Sequence, residues 1–229
     1  MGACLFVHHN LLDNPFHGMP WNDPYLGMEM ANISEAVSRQ DVVVTKMPFE
    51  ELVKKTARLL ADGKIVGWLQ GRCESGPRAL GNRSLLAHPG VPAMKDMINK
   101  KIKHREFWRP FAPACLEEEV ANWIDIDHPQ PYMLEAPLVK EKRRGVIPAV
   151  THVDGTARVQ TVNEQQNARF YALIKAFHEL TGIPMLLNTS FNDKGFPLCN
   201  DAHVAVELLK STGMDYLVIE DYLIATTEG

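Results

Sequence analysis

IVGWLQGRCESGPRALGNRS, residues 65–84, decides the fold class. Residues 65–69 are apolar and bounded on the N-terminal side by Gly63, which predicts a short buried strand. The chain then runs without a helix into a loop rich in Gly and Arg. In open α/β sheets, ligands bind just beyond the carboxyl ends of buried strands, so residues 71–84 are a candidate binding loop. Residues 188–192, NTSFN, repeat this arrangement after the apolar residues 185–187, and residues 153–158 form a third polar stretch.

Upstream of that strand, Pro48 can occupy the first turn of a helix. Phe49, Leu52, Val53, Leu59 and Leu60 supply its apolar face and Gly63 stops it. Downstream, residues 94–103 read as a basic helix. Residues 151–162 read as strand, turn at Asp154-Gly155, and strand. Asn163 is placed to cap a helix, with Gln166 reaching back, Ala168, Tyr171, Ile174 and Phe177 in period, and Gly182 as stop. A last helix is expected over residues 201–211 and a strand over 216–219. Residues 10–35 are rich in Pro, Asn, Asp, Gly and Met, as a turn-rich connector would be. Strands alternating with helices give an α/β fold.

With 229 residues, 45% apolar and 23% charged, the chain suits one or two soluble domains. Its net charge of −4 attracts no nucleic acid as a whole, so any anion site must be local. Cys4, Cys73, Cys115 and Cys199 are widely spaced with no CxxC pair, as in reduced cytosolic proteins. No apolar run reaches the ~20 residues of a membrane span, and a secretory start is lacking. A cytoplasmic protein is expected. The apolar start, residues 2–7, has no cap or turn before it and also fits a chain that continues a longer one.

The anion site is visible in the charge pattern. From Lys95 to Arg109 six cations (Lys95, Lys100, Lys101, Lys103, Arg105, Arg109) face two anions (Asp96, Glu106), and Arg72, Arg78 and Arg83 lie in the Gly-rich loop. Gly76, Pro77 and Gly81 let backbone approach a ligand, and guanidinium forks match phosphate oxygens. Arg78 and Arg109 sit among prolines and apolar residues and are not expected to be freely solvated. For Lys100 and Lys101 a solvated basic helix is an equal alternative. Asn188, Thr189, Ser190 and Asn192 offer amides and hydroxyls for phosphate oxygens or a carbonyl; a side-chain-stabilised turn would use the same residues. GxxxxGK[ST] and GxGxxG are absent. His8 and His9, read as neighbours in a strand, point apart and share no metal. His104 and His152 are read as structural histidines near the ligand stretches. Trp21, Trp68, Trp108 and Trp123 are read as core rather than stacking surfaces.

GRCESGPRALGNRS, IKHREFWRPFAP, PAVTHVDGTARVQTV and GIPMLLNTSFN, in that order, together resemble the O-carbamoyltransferase family of nodulation-factor, cephalosporin and tobramycin biosynthesis. The resemblance implies a YrdC-like twisted mixed sheet with flanking helices over residues 46–229. Residues 1–45 would be the tail of a preceding domain of the actin-like ATPase kind plus a connector. It implies carbamoyl phosphate and ATP as ligands, the ATP carried with Mg2+, and carbamoyl-adenylate as product. The carbamoyl group would then pass to a hydroxyl in the preceding domain of the same protein. Arg78, Lys103, Arg109 and Arg158 match the catalytic cations, and with Asn188 and Ser190 they match the binding set. The aspartate completing the first domain's metal site would fall before Met1, so that metal is not expected here. Apolar Leu5, Phe6 and Val7 would cover this domain's flank or a second copy, as in a homodimer.

Two other readings compete: a YrdC-like nucleotide or RNA binding module without turnover, and an interaction domain using its basic segment. RNA binding wants an exposed basic stripe, whereas these arginines lie among Gly, Pro and Trp.

Overall fold

A computed structural model describes residues 2–15, 24–193 and 195–227. Residues Gly2–Phe6 form a short helix, α1, which continues as a π-helical turn over Val7–Leu11. His8 and His9 are therefore in a helical turn rather than a strand, with ring centroids 4.8 Å apart, edge to face. Leu5, Phe6, Val7, Leu11 and Leu12 are exposed. Part of the connector, Trp21 included, lies outside the described residues.

The rest builds one sheet. After α2 (Ile33–Ala36), β1 (Val42–Lys46) leads to α3 (Phe49–Ala61), whose Leu52, Ala57 and Leu60 are fully buried. Strands β2 (Val66–Leu69) and β3 (Arg83–Ala87) flank the Gly-rich loop. Then come α4 (Met94–Lys101), β4 (Ala112–Leu116), a 3-10 turn (Glu117–Asn122), α5 (Glu141–Arg144) and β5 (Gln160–Val162). α6 (Ala168–Thr181), β6 (Met185–Ser190), α7 (Ala202–Ser211), β7 (Tyr216–Ile219) and β8 (Tyr222–Thr226) complete the chain. The strand order is β1-β8-β7-β2-β3-β6-β4-β5. β2 pairs parallel with β7, and β4 with β5, while the other neighbours are antiparallel. This is the mixed sheet with flanking helices expected from the sequence.

Burial explains which strands are central. Every residue of β2, β3 and β4 is buried, as in sheets covered on both faces. α3 and α6 pack on each other beside β2, β4 and β6, whereas α7 packs with α2 and against β7 and β8. Phe170 and Phe177 of α6 are fully buried, each contributing about 2–3 kcal/mol on transfer from water. Gly182 ends α6 at φ 72°, the left-handed cap its sequence suggests.

Three local expectations are corrected. Residues 151–159 form no hairpin: the Asp154-Gly155 turn closes locally, with Gly155 N donating to His152 O and His152 N to Thr156 O. The arm that should fold back bonds residues 137–139 instead, through Val139 N to Gly155 O and Ala157 N to Pro137 O. Only Gln160–Val162 is strand. The cap of α6 is Asn167, whose side chain accepts from Phe170 N, because Asn163 spends its oxygen on Gln166 N in a preceding turn. Finally α4 stops at Lys101, and His104 takes φ 43°, turning the chain toward the site.

Candidate functional site

The site begins with how the Gly-rich loop is held. Between β2 and β3 the chain must reverse within residues 70–82, which strands several backbone N–H groups away from any ladder. The buried Glu74 carboxylate collects three of them, accepting from Leu80 N at 2.7 Å, Asn82 N at 2.8 Å and Arg83 N at 3.1 Å. Gly81 has φ 114° and lies so close to Phe170 that a Cβ there would meet its ring at 2.3 Å. Both the backbone angle and the contact require glycine.

Arg83 and Arg72, grouped with the phosphate-matching arginines in the sequence, do other work. Arg83 is fully buried and donates to the carbonyls of Gln70, Asn82, Gly71 and Met28 and to Asn200 Oδ1, over 2.8–3.3 Å. Arg72 donates to the carbonyls of Leu26 and Gly27 at 2.9 Å. Together they clamp residues 26–28 onto the loop. Tyr25 adds a third tie by donating to Leu80 O at 2.9 Å.

Removing the Glu74 carboxylate should therefore loosen the loop. Glu74→Ala is expected to cost about 3 kcal/mol, since buried donors lose their acceptor, while Glu74→Gln keeps one oxygen and most of that stability. Thermal unfolding checks the stability, and phosphate titration checks the anion affinity, which should fall in the alanine variant.

The loop presents Arg78 to a cleft of about 100 Å³ lined also by Arg105, Arg158, Asn188, Thr189 and Ser190. A second hollow, about 170 Å³, is lined by Lys103, Arg105, Arg109, Ser190 and Asn192. Arg105 and Ser190 border both, so the two are lobes of one cleft. All six residues singled out by sequence line it: Arg78, Arg158, Asn188 and Ser190 in the first lobe, Lys103, Arg109 and again Ser190 in the second. Arg105, counted there only as one of six cations, stands between the lobes. Its position two residues after Lys103, before Arg109, was the available signal. Neither lobe is lined by His104 or His152; His152 instead bonds the Thr156 hydroxyl at 3.0 Å.

The two lobes differ in how their cations are matched. In the first, neither Arg78 nor Arg158 has a carboxylate partner among the described residues. Burial, then the Arg78 charge, pull the Arg158 pKa below its ordinary value. The Arg158 Nε and the Asn188 Oδ1 are both buried without a partner among the described residues. The Asn188 amide is fixed by donating to Ala79 O and Gln160 Oε1, each at 3.1 Å. Like charges gathered with unmet polar groups form a site for an anion carrying a donor of its own.

In the second lobe the groups are more committed. Arg109 pairs with Glu106 at 3.1 Å. Arg105 donates to Asn99 Oδ1 at 2.7 Å and lies over the Phe111 ring, 4.7 Å from its centroid. The buried Lys103 ammonium donates to Ser190 O, to Asn192 O at 3.1 Å and to Asn192 Oδ1 at 2.9 Å, and the Ser190 hydroxyl bonds Asn192 Oδ1 at 2.7 Å. Lys103 thus holds the 190–192 turn in shape. Trp68 and Trp123 are core, as read from sequence, but Trp108 is exposed, next in the chain to Arg109 at the cleft.

Burial, then repulsion from Arg105, depress the Lys103 pKa from 10.5 to about 7, with Asp193 opposing. A depressed lysine charges at a cost: the penalty is complete below pH 7 and is relieved as pH rises from about 7 toward 10.5, so stability rises across that window. An anion in the lobe favours the ammonium. Phosphate binding near pH 8 should therefore take up protons, and in Lys103→Met it should not. Calorimetry in buffers of different ionisation enthalpy measures this; equal proton uptake in both proteins would contradict it.

Among the described residues no group of three or more His, Cys, Asp and Glu side chains could hold a metal ion, and no helix is long and apolar enough to cross a membrane. The four cysteines are unpaired.

The chain is 44% identical over 178 residues to nodulation protein NolNO of Sinorhizobium fredii, covering 76% of this chain and 26% of that protein. It is 42% identical over 170 residues to the 3'-hydroxymethylcephem-O-carbamoyltransferase of Amycolatopsis lactamdurans, covering 74% of this chain and 32% of that enzyme. The chain thus spans about a quarter to a third of the length of these relatives. Its fold is shared with full-length HypF, solved in a phosphate- and nucleotide-bound form, at a TM-score of 0.51 and 19% identity over 99% of this chain and 26% of that one. The expected YrdC-like architecture is therefore the observed one. Residues 57–226 match the family model described as the carbamoyltransferase C-terminus, and the cleft falls within them. The chain belongs to the carbamoyltransferase C-terminal family.

Proposed function

We propose that this chain is the carbamoyl phosphate and ATP half-site of an O-carbamoyltransferase. One observation carries the reading: Arg78, Arg105 and Arg158 converge on a small cleft where, among the described residues, no carboxylate matches Arg78 or Arg158 and neither Arg158 Nε nor Asn188 Oδ1 has a partner. A carbamoyl phosphate fits that chemistry, its phosphate facing the guanidiniums and its amide N–H facing Asn188 Oδ1. Water would convert carbamoyl phosphate to carbamate and phosphate. A carbamate oxygen would then attack the α-phosphorus of ATP, displacing pyrophosphate and leaving carbamoyl-adenylate.

The residues act by position and charge. Both steps build negative charge on phosphate oxygens, and cations gathered around the cleft would stabilise it. Mg2+ would arrive on the nucleotide and offset the charge of its phosphates. The 190–192 turn, fixed by Lys103, holds the Ser190 hydroxyl at the junction of the lobes, where the two substrates would meet. The carbamoyl group would then reach an acceptor hydroxyl in the remainder of a longer protein, as the length of the relatives suggests.

The test is an incubation with ATP, radiolabelled carbamoyl phosphate and a panel of sugar and aminoglycoside hydroxyls. The expected result is pyrophosphate released only with carbamoyl phosphate, and labelled acceptor only when the preceding domain of a full-length relative is supplied. Labelled acceptor from this chain alone would place the transfer site here and overturn the division of labour.

A further inference from the structure

The amide of Asn188 is oriented by a chain of contacts that starts at the backbone. Its nitrogen donates to Ala79 O and to Gln160 Oε1, each at 3.1 Å, which uses both of its hydrogens. Gln160 is fixed in turn, because its Nε2 donates to Leu80 O at 2.8 Å. Backbone carbonyls only accept, so neither amide can turn over without setting oxygen against oxygen. From the backbone outward, Leu80 O orients Gln160, and Gln160 with Ala79 O orients Asn188. Asn188 is left with Oδ1, an acceptor without a partner among the described residues.

We propose that Gln160, which lines neither lobe, is a positioning residue that sets substrate specificity. By keeping the Asn188 oxygen unspent, it makes the first lobe select acyl phosphates whose acyl group carries an N–H. Those ending in a methyl or a carboxylate are rejected. The proposal rests on the carbamoyl phosphate reading above.

Three observations support the assignment. Gln160 and Asn188 are 3% and 2% exposed, so water does not replace a partner that a ligand fails to supply, and the loss is felt in full. Arg158 Nε, also buried without a partner among the described residues, puts a donor in the same lobe as that acceptor. A primary amide offers the complementary pair, one C=O and one N–H. A methyl leaves Oδ1 unmet, and a carboxylate sets a negative oxygen against it. Finally, Leu80 O has a second donor in the Tyr25 hydroxyl at 2.9 Å. The loop therefore keeps its tie without Gln160, whereas the orientation of Asn188 does not.

Phosphonoacetamide and acetonylphosphonate are carbon-bridged phosphonates that differ only by NH2 against CH3. Calorimetry with each, and with inorganic phosphate, on the wild type, Gln160→Leu and Gln160→Glu separates amide selection from anion binding. The wild type should prefer the amide by roughly tenfold or more, the scale of one buried acceptor left unmet. In Gln160→Leu an Asn188 hydrogen is freed to turn into the lobe, so the preference should fall to about threefold or less, with phosphate affinity unchanged. Gln160→Glu keeps an acceptor against Asn188. It should keep the preference even where its charge weakens both ligands alike. Thermal melts verify the folds, and Gln160→Met, closer in shape, makes the same test if the leucine variant does not fold. A preference unchanged in the apolar variant, or lost to the same extent in Gln160→Glu, would overturn the proposal while leaving the carbamoyl phosphate reading standing. Equal affinity of the wild type for the two phosphonates would also overturn it, and binding of neither would overturn both.

Discussion

Replacing Arg158 by alanine is expected to lower carbamoyl-phosphate-dependent pyrophosphate release from ATP by on the order of 10²–10³, the scale of one lost preorganised donor. Arg78→Ala should do the same. Burial makes the Arg158 charge costly, and the neighbouring Arg78 charge adds to that cost. Neither has a carboxylate to compensate among the described residues, and a bound anion would offset that repulsion. The same feature gives the prediction its second half: unfolding temperatures should stay level or rise in either variant. Arg158→Lys should recover little, because an ammonium lacks the flat fork that bonds two oxygens at once. Pyrophosphate assays paired with thermal melts decide it. Activity surviving in Arg78→Ala together with Arg158→Ala would remove the first lobe from the mechanism.

The largest stability effect should come from Arg83, which touches no part of the cleft. Arg83→Met is expected to cost on the order of 3–5 kcal/mol, because four backbone carbonyls and Asn200 Oδ1 lose their donor inside the protein. For a chain of this size that corresponds to roughly 10 °C or more in melting temperature. Arg72→Ala removes two bonds at an exposed position and should cost far less. Chemical denaturation of both variants measures the contrast. Similar small losses in the two would mean that the 26–28 segment is not clamped as described.

That contrast shows where sequence reading reached its limit. Arg72, Arg78 and Arg83 have the same side chain within one glycine-rich loop, and local composition gives each the same phosphate-binding promise. What separates them is strand geometry. β3 begins at Arg83, so its side chain turns inward under the loop, while Arg78 sits at the tip where the chain is free to face the cleft. β3 itself was illegible because RSLLA carries no alternation: a strand buried on both faces has none to show. β4, with APACL, is hidden for the same reason. The helices α3, α6 and α7 were legible because each keeps one apolar stripe. The Thr151–Val162 stretch misled because its partner comes from residues 137–139, a contact no local pattern encodes. At the cleft, Arg78, Lys103, Arg109, Arg158, Asn188 and Ser190 were named together through the family resemblance, and the fold brings all six to its walls. The part played by Lys103 did not follow from it, since three acceptors supplied by residues 190 and 192 meet its ammonium only in the fold.

The central claim is that carbamate is adenylated in this cleft. Isotope exchange between labelled pyrophosphate and ATP tests that step directly, because exchange requires reversible attack at the α-phosphorus and needs no acceptor. With carbamoyl phosphate present the protein should catalyse the exchange, and without it, or in Arg78→Ala, the label should stay in pyrophosphate. Exchange that proceeds equally well in the absence of carbamoyl phosphate, or ATP cleaved only to ADP and phosphate, would contradict the account.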